Sequence, residues 1–276
     1  MTEIDARVNP EQASDEIQKF LAGQQREREP IPAPVPPTPE DNIVNLPCGL
    51  VNALEGTVVR TAEVRELDGA DEEALARVSN NVAKYLDTLL DRGVAKIGTE
   101  AATSESLSLL LAGDRDALVV AIRRVTFGDD IDLTLDCPLC GEKQEVEVLC
   151  SRDIPSRSLE NPLFETSFSL TLKSGTQVEV NLPTGEVQKA LASSPDFGNE
   201  AALNTLLLSK CISKINGLPV ISPTQARNLK VRERREILEE IEKRNPGPRL
   251  REVTRPCSEC GGDMPLPFGL VDLFLV

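Results

Sequence analysis

Two Cys-x-x-Cys-Gly motifs that lie far apart in the chain constrain its fold more than any other feature. The first contains Cys137 and Cys140, and the second contains Cys257 and Cys260. Two thiolates on one tight turn can occupy two corners of a tetrahedron around a metal ion, and the glycine that follows lets backbone N–H groups approach the sulfur atoms. The motifs are 116 residues apart, whereas a compact zinc ribbon has about 15–20 residues between its cysteine pairs.

We predict that the four motif cysteines bind one structural Zn²⁺ in a discontinuous four-cysteine zinc ribbon. Residues 131–149 and 250–268 would form the ribbon, and residues 163–245 would be an inserted hairpin and helical segment. Four thiolates saturate the ion and leave no position for water or substrate, so the site would be structural and not catalytic. Such an ion would tie the middle of the chain to its end and would couple metal binding to folding.

Two other interpretations of the motifs stay open at this point. A thioredoxin-like redox pair needs its Cys-x-x-Cys at the start of a helix, whereas both motifs here lie between strand patterns. Two separate half-sites could instead bridge different subunits. Zinc is preferred over iron because the rest of the chain shows no redox partner motif.

The other three cysteines are weaker candidates for chemistry. Cys211 shares an apolar helix face with Leu203 and Leu207, which is typical of a buried small hydrophobe. Cys150 follows a strand pattern, and Cys48 is predicted to lie in a loop. Neither has an evident base to activate it as a nucleophile.

Composition excludes several functions. The chain has no histidine, which removes Ser-His-Asp triads, Cys-His dyads and His-ligated zinc. Its formal net charge of −15 disfavours general binding to nucleic acid or to anionic membranes. No apolar run approaches about 18 residues, and the acidic start has no secretory pattern, so we expect no membrane span and no signal peptide. No nucleotide-binding or hydrolase motif is present, so we predict that the protein is not an enzyme.

The first 42 residues differ in composition from the rest. Residues 1–28 form a tail in which residues 10–28 carry a short helical pattern, with Ile17, Phe20 and Leu21 as its large apolar side chains. Residues 29–42 are a Pro-rich linker that is expected to be extended and semi-rigid. The tail is either disordered or a helix that folds when it docks on a partner protein.

Residues 43–276 have the pattern of a globular domain. We predict an α+β fold class, with a mainly helical body and antiparallel hairpins. Residues 68–93 are predicted as one helix or two, and Asp114 as the N-cap of a further helix. Alternation of apolar and polar residues predicts strands on both sides of the first motif and a second hairpin over residues 167–182.

Basic residues cluster on the helix that follows Pro223 and in the segment after it. Glu233, Glu236 and Glu240 are among the acidic residues that interleave with them at i, i+3 and i, i+4 spacing. This pattern is typical of a solvated face with salt bridges, and no stacking aromatics lie nearby. The sequence therefore disfavours nucleic acid as a partner.

Several segments, in this order, resemble the T4-type baseplate protein family of contractile-tailed phages and related contractile injection systems. They are residues 58–65, 68–73, 121–128 before the first motif, 245–250 before the second, and 270–274 at the end. The resemblance covers about residues 55–276. The family's second motif often has a CPxCG-like form, whereas this chain has Cys257-Ser-Glu-Cys260-Gly, which keeps both ligands.

The resemblance implies a non-enzymatic structural or assembly component of a baseplate or hub, in which the four motif cysteines are the family's paired knuckles. It implies other baseplate or tail proteins as partners, with residues 10–28 as a candidate contact. It also implies assembly in the bacterial cytoplasm, followed either by a place in the virion or injection-particle baseplate or by departure as a transient assembly factor. The alternative is a cytosolic zinc-ribbon adaptor or regulator, including one that binds nucleic acid.

Overall fold

The structure is a computed structural model that describes residues 42–196, 198–266, 269–270 and 272–274. These residues fall within one unit, Pro39–Val276. The predicted tail, residues 1–28, and all of the predicted linker except Asn42 lie outside the described residues. Both therefore stay predictions, as do the domain boundaries.

A four-stranded antiparallel sheet, in which spatial order follows chain order, begins the described chain. Its strands are β1 (Ile43–Asn52), β2 (Thr57–Val64), β3 (Val94–Ile97) and β4 (Glu100–Ala101). Two helices, α1 (Gly69–Ala76) and α2 (Val82–Gly93), connect β2 to β3. The side chains of Asp68 and Asn81 cap these helices by accepting backbone N–H bonds, so the predicted region 68–93 is two helices.

The next pair of helices is α3 (Ser104–Leu109) and α4 (Ala112–Phe127). The prediction that Asp114 caps α4 is wrong, because α4 begins two residues earlier and its N-cap is Leu111. The Asp114 carboxylate is fully buried and accepts backbone N–H bonds from Cys48 at 2.7 Å and from Gly49 at 3.2 Å. The carboxylate therefore provides hydrogen-bond acceptors for backbone N–H groups in an irregular part of β1, where the register with β2 shifts.

The first cysteine motif lies at the tip of a long hairpin. Its strands, β5 (Asp130–Asp136) and β6 (Lys143–Leu149), pair in register from Asp130–Leu149 to Asp136–Lys143. Three short elements follow the hairpin. They are α5 (Cys150–Asp153), β7 (Ser156–Arg157) and α6 (Pro162–Glu165).

A second four-stranded antiparallel sheet also has its strands in chain order. Its strands are β8 (Ser167–Thr171), β9 (Gln177–Asn181), β10 (Ile212–Ile215) and β11 (Leu218–Pro219). Four helices accompany it, α7 (Gly185–Ala192), α8 (Glu200–Cys211), α9 (Pro223–Arg227) and α10 (Val231–Arg244). This sheet and its helices share an apolar cluster of their own, which includes Val180, Leu208 and Ile237.

A short hairpin near the end of the described chain carries the second cysteine motif, and a 3₁₀ turn, Asp272–Phe274, follows it. Strand β12 (Gly247–Pro248) pairs with β7. The hairpin strands are β13 (Thr254–Pro256) and β14 (Asp263–Pro265). Leu250, Val253 and Leu266 around this hairpin join the largest apolar cluster, which is built mostly on the first sheet and on α2 and α4. The segment around this hairpin thus packs on the beginning of the described body.

The α+β prediction with antiparallel hairpins is confirmed. Every strand pair among the described residues is antiparallel. The expectation of a mainly helical body is not confirmed, because five sheets share the described residues with the helices. Before the second motif the chain first forms a 3₁₀ turn, Leu250–Glu252, and β13 starts at Thr254.

Candidate metal centre

The fold brings the four motif cysteines into one cluster. Their sulfur atoms all lie within 4.8 Å of one another. Cys137 Sγ lies 3.7 Å from Cys260 Sγ, and Cys140 Sγ lies 3.7 Å from Cys257 Sγ. Packing of the two hairpins against each other therefore brings together two motifs that are far apart in the sequence.

The two 3.7 Å distances match the sulfur–sulfur spacing of a tetrahedral zinc site. Zinc–sulfur bonds of about 2.3 Å in a regular tetrahedron place the sulfur atoms about 3.8 Å apart. All seven cysteines of the chain are free thiols, and a disulfide would need sulfur atoms about 2.0 Å apart. The donor set is thus four thiols at the spacing of a tetrahedral four-thiolate site.

Each motif forms the same tight turn. In the first, the Gly141 N–H donates to the Cys137 carbonyl at 2.8 Å; in the second, the Gly261 N–H donates to the Cys257 carbonyl at 2.9 Å. Both glycines have positive φ, 76° and 72°, a conformation that glycine adopts without steric cost. The turns therefore hold both sulfur atoms of each motif on one side of a hairpin tip.

The backbone of the first turn also favours the thiolate form of Cys137. Backbone N–H groups of Cys140 and Leu139 donate to its sulfur and lower the pKa of the Cys137 thiol to about 6. Hydrogen bonds to the charged form are a general cause of such a shift. The pKa values of the Cys140 and Cys260 thiols in the same cluster are raised, so the cluster without a metal favours one thiolate, and a metal ion would have to displace the remaining protons.

A buried side chain links the two hairpins beside the cysteines. Gln144 on β6 accepts two hydrogen bonds through Oε1, from the Ser258 backbone N–H at 3.0 Å and from the Ser258 hydroxyl at 2.7 Å. Met264 and Val146 pack against Cys137 and Cys257 on the inner side. The sequence analysis missed Gln144, and no local pattern around it could have identified a partner 114 residues away.

An ion pair joins the second hairpin to the segment after the first. The Arg255 guanidinium contacts the Asp153 carboxylate at the end of α5. Hydrogen bonds from Arg152 and from the Leu149 backbone N–H, with Arg255 nearby, hold the pKa of Asp153 well below its usual range. The carboxylate thus stays charged and keeps both hairpins tied to α5.

Comparison with known proteins identifies the family. A model of the T4 bacteriophage base plate protein family matches residues 58–274, which is more than half of the chain and spans both cysteine motifs. The chain belongs to this family. No curated protein and no solved structure matches the chain.

Membership of the base plate protein family indicates a structural, virion-associated component of a phage tail. The resemblance stated from the sequence is therefore confirmed. Among the described residues, no helix is both long enough and apolar enough to cross a membrane.

The remaining cysteines of this base plate protein lie apart from the cluster and are buried. Cys211 lies in the apolar cluster of the second sheet, as the sequence predicts. The prediction that Cys48 lies in a loop is wrong, because it lies within β1. Burial raises the pKa of the Cys48 and Cys211 thiols to about 12, and it also raises the pKa of Cys150. Burial and raised pKa make these thiols poor nucleophiles.

Basic residues at the end of α10 make the local contacts that the sequence predicts. Arg244 forms an ion pair with Glu240 at 2.7 Å, one helical turn away. Arg249 donates to the carbonyl oxygens of Glu242 and Asn245. These guanidinium groups bind a carboxylate and backbone carbonyl oxygens of the same chain, as expected for a solvated face with salt bridges.

Proposed function

We propose that Cys137, Cys140, Cys257 and Cys260 bind one Zn²⁺ as a structural site. The observation that carries the proposal is the set of four thiols at tetrahedral spacing, two from each hairpin tip. When bound, the ion supplies a cross-link between two segments of the chain. The chain's own residues orient the sulfur atoms through the glycine turns, and Gln144 fixes the second turn against β6.

The surroundings of the cysteines support a structural role over a redox role. Both motifs lie at hairpin tips and not at the start of a helix, where helix N–H groups would activate one thiol. Four thiolates complete the coordination of zinc and leave no position for a substrate. The subunit-bridging interpretation is not needed either, because all four sulfur atoms come from one chain.

We further propose that the protein is a non-enzymatic scaffold of a contractile-tail baseplate or hub that binds other baseplate proteins. Family membership supports this role, and the zinc ribbon formed by the two hairpins would brace the body that partners contact. The negative charge of the chain would orient it toward basic neighbours. The same reasoning extends to related contractile injection systems.

The test is recovery of partners from cells that assemble the whole particle. A tagged full-length chain is expected to retain tail or baseplate proteins in stoichiometric amounts. The matched pair of variants is Cys257→Ser, which removes a zinc ligand, and Cys211→Ser, which alters a cysteine outside the site. Loss of partners with the first variant and not with the second would support a zinc-braced scaffold. Recovery of no tail protein by the unaltered chain would contradict the role.

The contact through residues 10–28 is a separate proposal, since this segment lies outside the described residues. Its three large apolar residues at i, i+3 and i+4 spacing support it. Replacing Phe20 and Leu21 with serine is expected to reduce partner recovery, whereas replacing Gln24 and Gln25 with serine is not. Equal recovery with both variants would show that the segment makes no such contact.

The alternative, a cytosolic zinc-ribbon adaptor that binds nucleic acid, makes a different prediction. It requires binding of DNA or RNA that is measurable at about 50 mM salt and weakens as the salt concentration rises. The local pairing of Arg244 and Arg249 argues against it. Measurable binding under these conditions would favour the alternative.

A further inference from the structure

The described chain passes through the same succession of elements twice. The first repeat, residues 43–149, contains β1, β2, α1, α2, β3, β4, α3, α4 and the β5–β6 hairpin. The second repeat, residues 167–266, contains β8, β9, α7, α8, β10, β11, α9, α10 and the β13–β14 hairpin, with β12 and the 3₁₀ turn Leu250–Glu252 added before that hairpin. Both sheets have the same strand order. We infer that these are two copies of one unit, joined in tandem, and that the cysteine cluster is the place where their end hairpins meet.

The lengths of four pairs of corresponding elements agree, whereas the first two strands and the end hairpin are longer in the first repeat. Helices α1 and α7 each have 8 residues, and α2 and α8 each have 12. Strands β3 and β10 each have 4 residues, and β4 and β11 each have 2. Asn81 and Asn199 cap α2 and α8 in the same way, each accepting a backbone N–H bond three residues on. Shared topology alone would not fix these lengths.

The sequence retains a trace of the duplication. Residues 63–76 and 179–192 align without a gap and share six of fourteen residues. The identical pairs are Glu63 and Glu179, Val64 and Val180, Gly69 and Gly185, Ala74 and Ala190, Leu75 and Leu191, and Ala76 and Ala192. Both valines are buried in their sheets, and both glycines begin a helix.

Backbone hydrogen bonds repeat at corresponding positions. The Gly98 N–H donates to the Thr61 carbonyl at 2.7 Å, and the Asn216 N–H donates to the Gln177 carbonyl at 2.7 Å. Gly98 has φ of 63°, and Asn216, the corresponding residue, has φ of 49°. A left-handed conformation outside glycine is uncommon, so its occurrence here supports the correspondence of Gly98 and Asn216. The two turns differ at the next residue, because Gly217 has φ of 78° whereas Thr99 has no positive φ.

An ion pair also occurs in both repeats. Lys96 on β3 contacts Glu63 on β2 at 2.7 Å, and Lys214 on β10 contacts Glu179 on β9 at 2.8 Å. Each pair is directly opposite in the strand register. The same cross-strand pair thus occupies the same place in both sheets.

The long helix of each repeat is anchored in the same way. Arg115 on α4 donates to the Leu107 carbonyl at 3.2 Å, and Arg234 on α10 donates to the Ala226 carbonyl at 3.4 Å. Each arginine thereby reaches back eight residues to the preceding short helix. The buried residues of the two helices also correspond, namely Leu118 with Ile237 and Ile122 with Ile241.

The end hairpins meet in a reciprocal way. Cys137 of the first repeat is paired at 3.7 Å with Cys260 of the second, and Cys140 of the first is paired at 3.7 Å with Cys257 of the second. A two-fold interface between identical subunits has this reciprocity, in which residue i contacts residue j and j contacts i. One chain thus supplies both halves of a site that two single units would have to share. This part of the inference rests on the zinc binding proposed above, whereas the duplication itself does not.

The test exchanges corresponding segments within the full-length chain. In one variant the eight residues Ile212–Pro219 are replaced by the sequence of residues 94–101, which correspond to them. In the control they are replaced by the sequence of residues 93–100, which shifts the same segment by one position and turns every strand side chain to the opposite face. The in-register variant is expected to lower the Tm by less than about 10 °C, and the shifted variant by more than about 20 °C or to abolish cooperative unfolding.

The reciprocal exchange, residues 212–219 placed at 94–101, guards against an accidental failure of the first variant. The duplication is overturned if the in-register variants are as damaging as their shifted controls in both directions. Zinc content of the unaltered chain is measured in parallel. A chain without zinc whose exchanges behave as expected would contradict the proposed metal site and leave the duplication standing.

Discussion

Substitution of Gly113 by alanine tests how the beginning of the described body packs on the segment that leads to the second cysteine motif. Gly113 lies in the first turn of α4, and a Cβ built there would overlap the carbonyl group of Pro246. A Cβ built on Gly247 would in turn lie 2.5 Å from the Gly113 carbonyl oxygen, well inside the 3.0 Å below which such contacts are essentially absent. The two segments therefore pack backbone against backbone, and no rotamer change can relieve an added methyl group.

The expected loss of stability follows from this contact. Overpacking of a tight interior costs about 1–3 kcal/mol, and a backbone neighbour places Gly113→Ala at the upper end of that range. Alanine regains up to about 1 kcal/mol of helix propensity, so the net loss is about 2–3 kcal/mol. At about 2–4 °C per kcal/mol for a chain of this size, the Tm should fall by about 4–12 °C.

Gly69→Ala is the matched control for this prediction. Gly69 also lies in the first turn of a helix, α1, but no atom lies within 4 Å of a Cβ built there. This variant should be unchanged or more stable by up to about 1 kcal/mol. Urea and thermal unfolding followed by circular dichroism would measure both. Equal stability of the two variants would refute the close packing of α4 against residues 246–247.

Three further predictions concern the cysteine site and a buried carboxyl. Cys257→Ser should increase amide hydrogen exchange in the β5–β6 hairpin, and unchanged exchange there would show that the two motifs share no metal. Removal of the metal by a chelator should make the four motif cysteines reactive to iodoacetamide, while the other three cysteines, which are buried, stay unlabelled. Simultaneous labelling of all seven would mean that the metal supports the whole fold. Burial raises the pKa of Asp114 to about 6, so the folded chain holds this proton more tightly than the unfolded chain does. From this group the free energy of unfolding should therefore fall by about 3 kcal/mol between about pH 4 and pH 6. Burial also raises the pKa of Asp116 to about 6, so Asp114→Asn should remove only about half of the total fall in pH-dependent urea unfolding; an unchanged slope would contradict it.

The sequence was informative wherever the signal is local. The Cys-x-x-Cys-Gly spacing is set by one turn, and the structure does place the four cysteines together. Alternation of apolar and polar residues located β5 and β6, because one face of that hairpin packs on the core.

The sequence-based predictions were wrong where a residue forms its hydrogen bonds with a residue far away in the chain. Asp114 follows a glycine and looks like a helix cap, yet its carboxylate binds the backbone of Cys48, 66 residues earlier. Cys48 follows a proline and looks like a loop residue, yet that bond to Asp114 stabilises it within an irregular strand. Neither contact leaves a local pattern.

The duplication was missed although it leaves a sequence trace. The match between residues 63–76 and 179–192 becomes visible only when the chain is compared with itself at an offset of 116 residues. The offset grows to 120 residues at the cysteine motifs, because short insertions accumulate in between. The equivalence of the two repeats is clear from the packing that they share and not from their limited sequence identity.

Metal analysis of the purified full-length chain tests the central claim most directly. Elemental analysis combined with X-ray absorption should give one zinc per chain with four sulfur ligands at about 2.3 Å. A folded chain without metal, half an ion per chain, or fewer than four sulfur ligands would contradict a single site formed by Cys137, Cys140, Cys257 and Cys260.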